Sequence, residues 1–149
     1  MKSELWFDRT NIRVDLLNEY GKNTLSEAIG LEITEVTEQS VLGKLQVSSQ
    51  NCQPLGLLNG GTSMAIIEIL GSVAANLTLD RQIFVAVGQS IQGSHFRPAK
   101  LGEWVFASAA PLHVGKKSQV WEVSILNSED KLVCKGSITM AVITLNNGK

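Results

Sequence analysis

Glu68 is the only acid in an apolar run from Met64 to Leu77. A carboxylate in such a run must emerge at a gap in the packing or lose much of its hydration. One use for it is attack on an electrophilic carbon, directly or through water. The plainer use is an acid that reaches solvent or pairs with a lysine across an interface. Ser72 lies one helical turn further along the same face. Upstream, Gly60 and Gly61 stand where a helix would begin, and its unpaired backbone N–H groups and positive dipole end suit an oxyanion. Acid and anion hole therefore share one short segment.

Competing chemistries find little support. Gly56 to Ser63, GLLNGGTS, approaches the phosphate-binding pattern G-x-x-x-x-G-K-[ST], but Thr62 stands where the lysine is needed, so a P-loop is rejected. No G-x-S-x-G occurs for a serine nucleophile. Cys52 has no assigned base and reads as an incidental loop thiol. The two histidines, His95 and His113, sit among no clustered carboxylates or thiols, so no metal site is expected and ordinary strand or loop histidines are the plainer reading.

The elements that must position these residues follow from periodicity and punctuation. Thr10 or Asn11 is expected to cap a helix carrying Ile12, Leu16, Leu17 and Tyr20, and Asn23 or Thr24 a short turn to Ile29, with Gly21 and Gly30 closing the two. Alternation from Leu31 to Ser49 predicts two strands joined near Glu38 to Ser40, with Gly43 marking a bulge or a close backbone approach. A loop over 50–61 leads to Thr62 and Ser63, expected caps of a helix running from about Ser63 to Leu79 and buried on most sides. Four strands follow, Phe84 to Arg97, Glu103 to Val114, Lys117 to Leu126 and Lys131 to Leu145, the last two linked through Asn127 to Asp130. About six strands with one long helix exclude repeated βαβ crossovers. The economical α+β architecture is a curved antiparallel sheet wrapped around the helix, forming one domain over residues 1–149, with a frayed tail from Asn146 to Lys149.

Composition agrees. The 149 residues are 44% hydrophobic and 18% charged, with thirteen Lys and Arg against fourteen Asp and Glu. A core sufficient to fold without disulfides or structural metal is available. The balanced charge carries no footprint for nucleic acid. Two distant cysteines and an acid-bearing N-terminus without an apolar run read as a reduced, cytoplasmic protein, and Met64 to Leu77 falls short of a membrane span.

Gln53-Pro54-Leu55-Gly56-Leu57-Leu58-Asn59-Gly60-Gly61, followed by Glu68 and Gly71-Ser72-Val73-Ala74, resembles the hotdog-fold acyl-CoA thioesterases, in the branch with a glutamate on the central helix. That branch includes 4-hydroxybenzoyl-CoA thioesterase, the enterobactin-pathway proofreading thioesterase and 1,4-dihydroxy-2-naphthoyl-CoA hydrolase. The resemblance continues through Val87-Gly88, Ser94-His95-Phe96-Arg97, Pro111-Leu112-His113-Val114-Gly115 and Gln119-Val120-Trp121. It implies Glu68 as nucleophile or general base, the Gly60 N–H and Gln53 side chain on the thioester oxygen, and Ser72 placing water or substrate. It also implies a site between two subunits and a coenzyme A channel lined by Gly88, His95, Arg97, His113, Gly115, Lys116 and Lys117. A basic pair suits a pyrophosphate and a 3′-phosphate; a solvated turn is the plainer reading of Lys116 and Lys117. The family's His-Gly-Gly is Asn59-Gly60-Gly61 here, and Asn cannot carry a proton at neutral pH. With no histidine expected near the helix, a hotdog dehydratase is disfavoured.

The expectation is therefore a homo-oligomer, at least a dimer and by the resemblance a tetramer, that hydrolyses acyl-CoA thioesters without metal or redox cofactor. The favoured acyl group is aryl or fused-ring, with 1,4-dihydroxy-2-naphthoyl-CoA the most specific reading. A non-catalytic acyl-CoA binding or sensing module, or a purely structural assembly protein, is the alternative, and neither nucleic acid nor membrane is an expected partner.

Overall fold

The inward-facing residues of the strands alternate with outward ones, and the apolar helix fills the concavity they leave. The computed structural model describes residues 4–145, so the tail from Asn146 to Lys149 lies outside the described residues. A 3-10 turn at Arg9–Asn11 precedes α1 (Val14–Tyr20) and α2 (Leu25–Ile29); then come β1 (Glu32–Val36), β2 (Val41–Gln46), α3 (Gly60–Leu77), β3 (Phe84–His95), β4 (Trp104–Val114), β5 (Ser118–Asn127) and β6 (Leu132–Thr144). The strands form one sheet in the order β1-β2-β4-β5-β6-β3, with every pairing antiparallel. This is the hotdog arrangement that the resemblance implies.

The core lies between α3 and the inner face of the sheet. Ile66, Ile67, Leu70, Ala74 and Ala75 of α3 are buried with Val41 and Leu45 of β2, Val105 and Ala109 of β4, Trp121, Val123 and Ile125 of β5, and Ile138 and Met140 of β6. Each large aliphatic side chain so buried stabilises the fold by about 1.5–3 kcal/mol. Gly71 lets the helix approach, since a Cβ there would collide with Ile138. Gly43 proves to be a close approach rather than a bulge: a Cβ would stand 3.0 Å from the Glu32 carbonyl and 3.2 Å from Leu70, while the register shift lies in β1 between Ile33 and Glu35. By composition α3 could cross a bilayer, but its Ile66, Ile67, Leu70, Ala74 and Ala75 are already buried in the core.

Two expected caps are corrected. Asn59, not Thr62 or Ser63, caps α3, its side chain accepting from the Gly61 N–H at 2.7 Å. The helix starts at Gly60, the residue after the cap, where the first-turn N–H groups have no intrahelical partner. Thr62 and Ser63 are instead buried in that turn, and the Thr62 hydroxyl donates to the Asn51 carbonyl. Likewise Thr10 and Asn11 bond the Asp8 carboxylate in the 3-10 turn, and α1 begins later, at Val14, without a side-chain cap. Thr24 does cap α2, and Gly30 closes it with φ of +78°.

β3 is a long sheet edge, and most of it is uncovered. Val87 and Ile91 on it are 42% and 37% exposed. A row of unpaired N–H and C=O groups with apolar side chains is a template for another strand.

Candidate active site

The loop before α3 is held by one buried side chain that the sequence reading did not single out. The Asn51 amide donates to the carbonyls of Ile29 and Gln46, each at 2.9 Å, and accepts from the Ser48 N–H, while its own carbonyl accepts from the Asn59 N–H at 3.0 Å. The loop is thereby tied to α2, β2 and the helix cap at once. Within it the Gln53 N–H donates to the Leu57 carbonyl, and its side-chain oxygen accepts from the Leu55 N–H. The Gln53 amide NH₂ is left to donate outward.

Capping assigns the N–H groups at the start of α3. Asn59 takes that of Gly61, and among the described residues nothing accepts from the Gly60 N–H. That N–H, at the positive end of an 18-residue helix, can hold an oxyanion. The Asn59 side-chain oxygen is committed to that cap, an interaction typically worth about 1 kcal/mol.

His95 corrects the expectation that no histidine stands near the helix. Its imidazole packs on Gly60: a Cβ built there would lie 3.3 Å from Cε1 and 3.6 Å from Nε2. The two residues are brought together by the sheet, since His95 pairs with the buried Cys134 across β3 and β6 and so shares its inward face. Burial pushes the Cys134 thiol up, away from thiolate.

Glu68 lies eight residues along α3 from Gly60, about 12 Å of axial rise. Its Oε1 accepts from the Ser72 hydroxyl at 3.3 Å, on the side away from Gly60. The carboxylate occupies space that Gly88 of β3 leaves open, since a Cβ there would stand 3.0 Å from Glu68 Cδ and closer still to Oε1. One more turn on, the Asn76 amide grips the backbone of β3 at Ala86, donating to its carbonyl at 2.9 Å and accepting from its N–H at 3.0 Å. Asn76 also escaped the sequence reading, although its i+4 spacing from Ser72 continues the stripe that begins at Glu68.

The residues expected to line a coenzyme A channel fall into separate groups. Gly88 belongs with Glu68 and His95 with Gly60. The Arg97 guanidinium donates to the Leu132 carbonyl at 3.1 Å, beside the start of β6. His113, Gly115, Lys116 and Lys117 surround the β4–β5 turn, where the Lys117 backbone carbonyl accepts from the Val142 N–H near the end of β6. His113 Nε2 closes on Gly115, where a Cβ would lie 2.6 Å away, and both lysines are exposed. Nine residues of strand, about 30 Å, separate the Arg97 end from the lysine end. Within one chain these cations do not meet.

Residues 55–134 match the sequence pattern described as the Thioesterase superfamily. The chain is 34% identical over 135 residues to a proofreading thioesterase of Cronobacter turicensis, covering 91% of this chain and 97% of that one. It is 30% identical over 135 residues to the 1,4-dihydroxy-2-naphthoyl-CoA hydrolase of Escherichia coli, covering 91% and 98%. The crystal structure of a Haemophilus influenzae thioesterase superposes with a TM-score of 0.90 at 34% identity, over 96% of this chain and 97% of that one. Two solved variants of one Staphylococcus aureus thioesterase, with TM-scores of 0.75 and 0.77, replace a glutamine and a glutamate that lie fifteen positions apart.

Proposed function

This chain belongs to the thioesterase superfamily, and on that premise we propose that it hydrolyses acyl-CoA thioesters at a site completed by a second copy of itself. The observation that carries the reading is that Glu68 and the free Gly60 N–H lie two helical turns apart, each packed against a different end of the same open strand. No single carbonyl reaches both within one chain.

A second β3 resolves the separation. Asn76 occupies the backbone groups of Ala86, so self-pairing is confined to Gly88 through His95. Antiparallel self-pairing of this stretch about a two-fold axis brings the Gly88 end of one strand toward the His95 end of the partner's. Glu68 then faces the partner's Gly60 and Gln53. The same operation brings Arg97 toward the far end of the partner's β3, where Ala86 pairs with Val142 next to Lys117. The cations that one chain keeps apart thus converge around one nucleotide, with Lys116, Lys117, His113 and Gly115 on one side and Arg97 on the other.

Chemistry follows from the parts. The thioester oxygen accepts from the Gly60 N–H and the Gln53 amide, which stabilise the charge that develops on it. The Glu68 carboxylate attacks the carbonyl carbon or takes the proton of the water that does, and the Ser72 hydroxyl steadies its Oε1. Gln53 and Glu68 are separated by fifteen positions, the spacing of the glutamine and glutamate replaced in the Staphylococcus aureus enzyme. Similarity to the Escherichia coli hydrolase supports an aryl or fused-ring acyl group such as 1,4-dihydroxy-2-naphthoyl.

The test is turnover of a panel of aryl and aliphatic acyl-CoAs, followed with a thiol-trapping dye. Free thiol is expected from the wild-type protein, with kcat/KM highest for aryl or fused-ring substrates. Stabilisation of the fold by coenzyme A with no turnover of any thioester would replace this reading with a binding or sensing module.

A further inference from the structure

We propose that His95 is a catalytic residue that donates its imidazole N–H to the sulfur of the departing thiolate, rather than a ligand of the coenzyme A nucleotide. The inference deepens the thioesterase reading and rests on it. Its basis is the packing of the imidazole on Gly60, with the Cε1–Nε2 edge turned toward the glycine whose N–H is free for the thioester oxygen. A group packed over the Gly60 side-chain position stands beside a carbonyl carbon whose oxygen is bound at Gly60 N. Among the described residues no side chain or carbonyl bonds this imidazole, so its donor is available to substrate. Asn59 is held in the cap by its oxygen, which accepts from the Gly61 N–H.

The choice of sulfur follows from exposure. A thioester carbon carries the acyl group on one side and the sulfur on the other, and the sulfur leads to a large charged nucleotide that must remain in water. His95 ends the self-paired stretch of β3, and Phe96 and Arg97, which follow it, are exposed. The acyl group therefore extends away from His95, and the sulfur lies beside it.

When the tetrahedral intermediate collapses, the carbon–sulfur bond breaks, its electron pair passes to sulfur, and the carbonyl re-forms. The imidazole N–H stabilises the thiolate by hydrogen bonding and keeps its proton; the released thiolate takes a proton from solvent. One such donor aimed at developing charge accounts for about 10²-fold in rate.

The experiment compares wild type, His95→Ala and His95→Gln on two thioesters of one aryl acid, the coenzyme A ester and the thiophenyl ester, whose thiolate leaves readily without help. Wild-type turnover, measured first, tests the parent reading separately. His95→Ala is expected to lower kcat on the coenzyme A ester by about 10²-fold with KM little changed, and to cost about tenfold less on the thiophenyl ester. His95→Gln, which restores an N–H donor, is expected to recover most of the loss, and oligomer mass identifies any variant that fails to assemble. A raised KM with unchanged kcat would return His95 to nucleotide binding. Equal losses on the two esters, or no recovery in an assembled His95→Gln protein, would overturn the role at sulfur.

Discussion

Glu68→Gln is expected to lower kcat on an aryl-CoA thioester by at least about 10²-fold, and by more if the carboxylate attacks carbon directly. The amide has the size of the carboxylate and fits the space beside Gly88. It keeps an oxygen for the Ser72 hydroxyl, so the fold and the assembly should survive. What it lacks is basicity. KM should change little, because the interaction lost belongs to the transition state. Single-turnover hydrolysis, read with the mass and melting temperature of the same sample, separates this from a structural acid. An acid that merely holds the strand to the helix would give a variant that melts early or dissociates while turning over normally when assembled.

Gly88→Ala is the second large effect, and the structure makes it a sharper test than its size implies. The new methyl group would compete with the Glu68 carboxylate for one space, and the carboxylate, the far end of a flexible side chain, is the group that gives way. Stability should therefore be nearly unaffected. Catalysis should not be, since displacing a reacting group by about 1 Å costs on the order of 10²-fold. The expected result is a kcat loss of that order at unchanged melting temperature. If Gly88 only lines a passage for coenzyme A, the same substitution raises KM and leaves kcat alone.

How much of this was legible beforehand depended on whether the information was local. A lone acid in an apolar run is visible as pattern, and Glu68 with Ser72 needed only helical spacing to be placed on one face. Alternation marked the strands for the same reason. Asn59 as the cap was hidden by its two glycines, which read as loop although they form the first turn of α3. Residues such as His95 and Gly60, far apart in the chain, meet only through the pairing of β3 with β6 and the lie of α3 on the sheet, and neither leaves a trace in local sequence. Grouping Arg97 with Lys116 and Lys117 followed charge type, but the length of β6 sets them at opposite ends of one chain. Asn51 and Asn76 look like ordinary polar residues until their backbone partners, distant in sequence, are known.

The central claim is that acid and oxyanion site come from different chains, and complementation between two crippled variants tests it most directly. Glu68→Gln and Gln53→Ala carry different tags, are coexpressed, and the mixed pair is isolated by passage over both affinity resins. In a shared site, each mixed pair holds one site with both lesions and one with neither, because intact Glu68 from one chain meets intact Gln53 from the other. The mixed pair should hydrolyse the aryl-CoA substrate at close to half the wild-type rate, far above either variant alone. Mixed pairs that assemble normally yet show no more activity than the separate variants would contradict the account, since acid and oxyanion donor would then have to act within one chain.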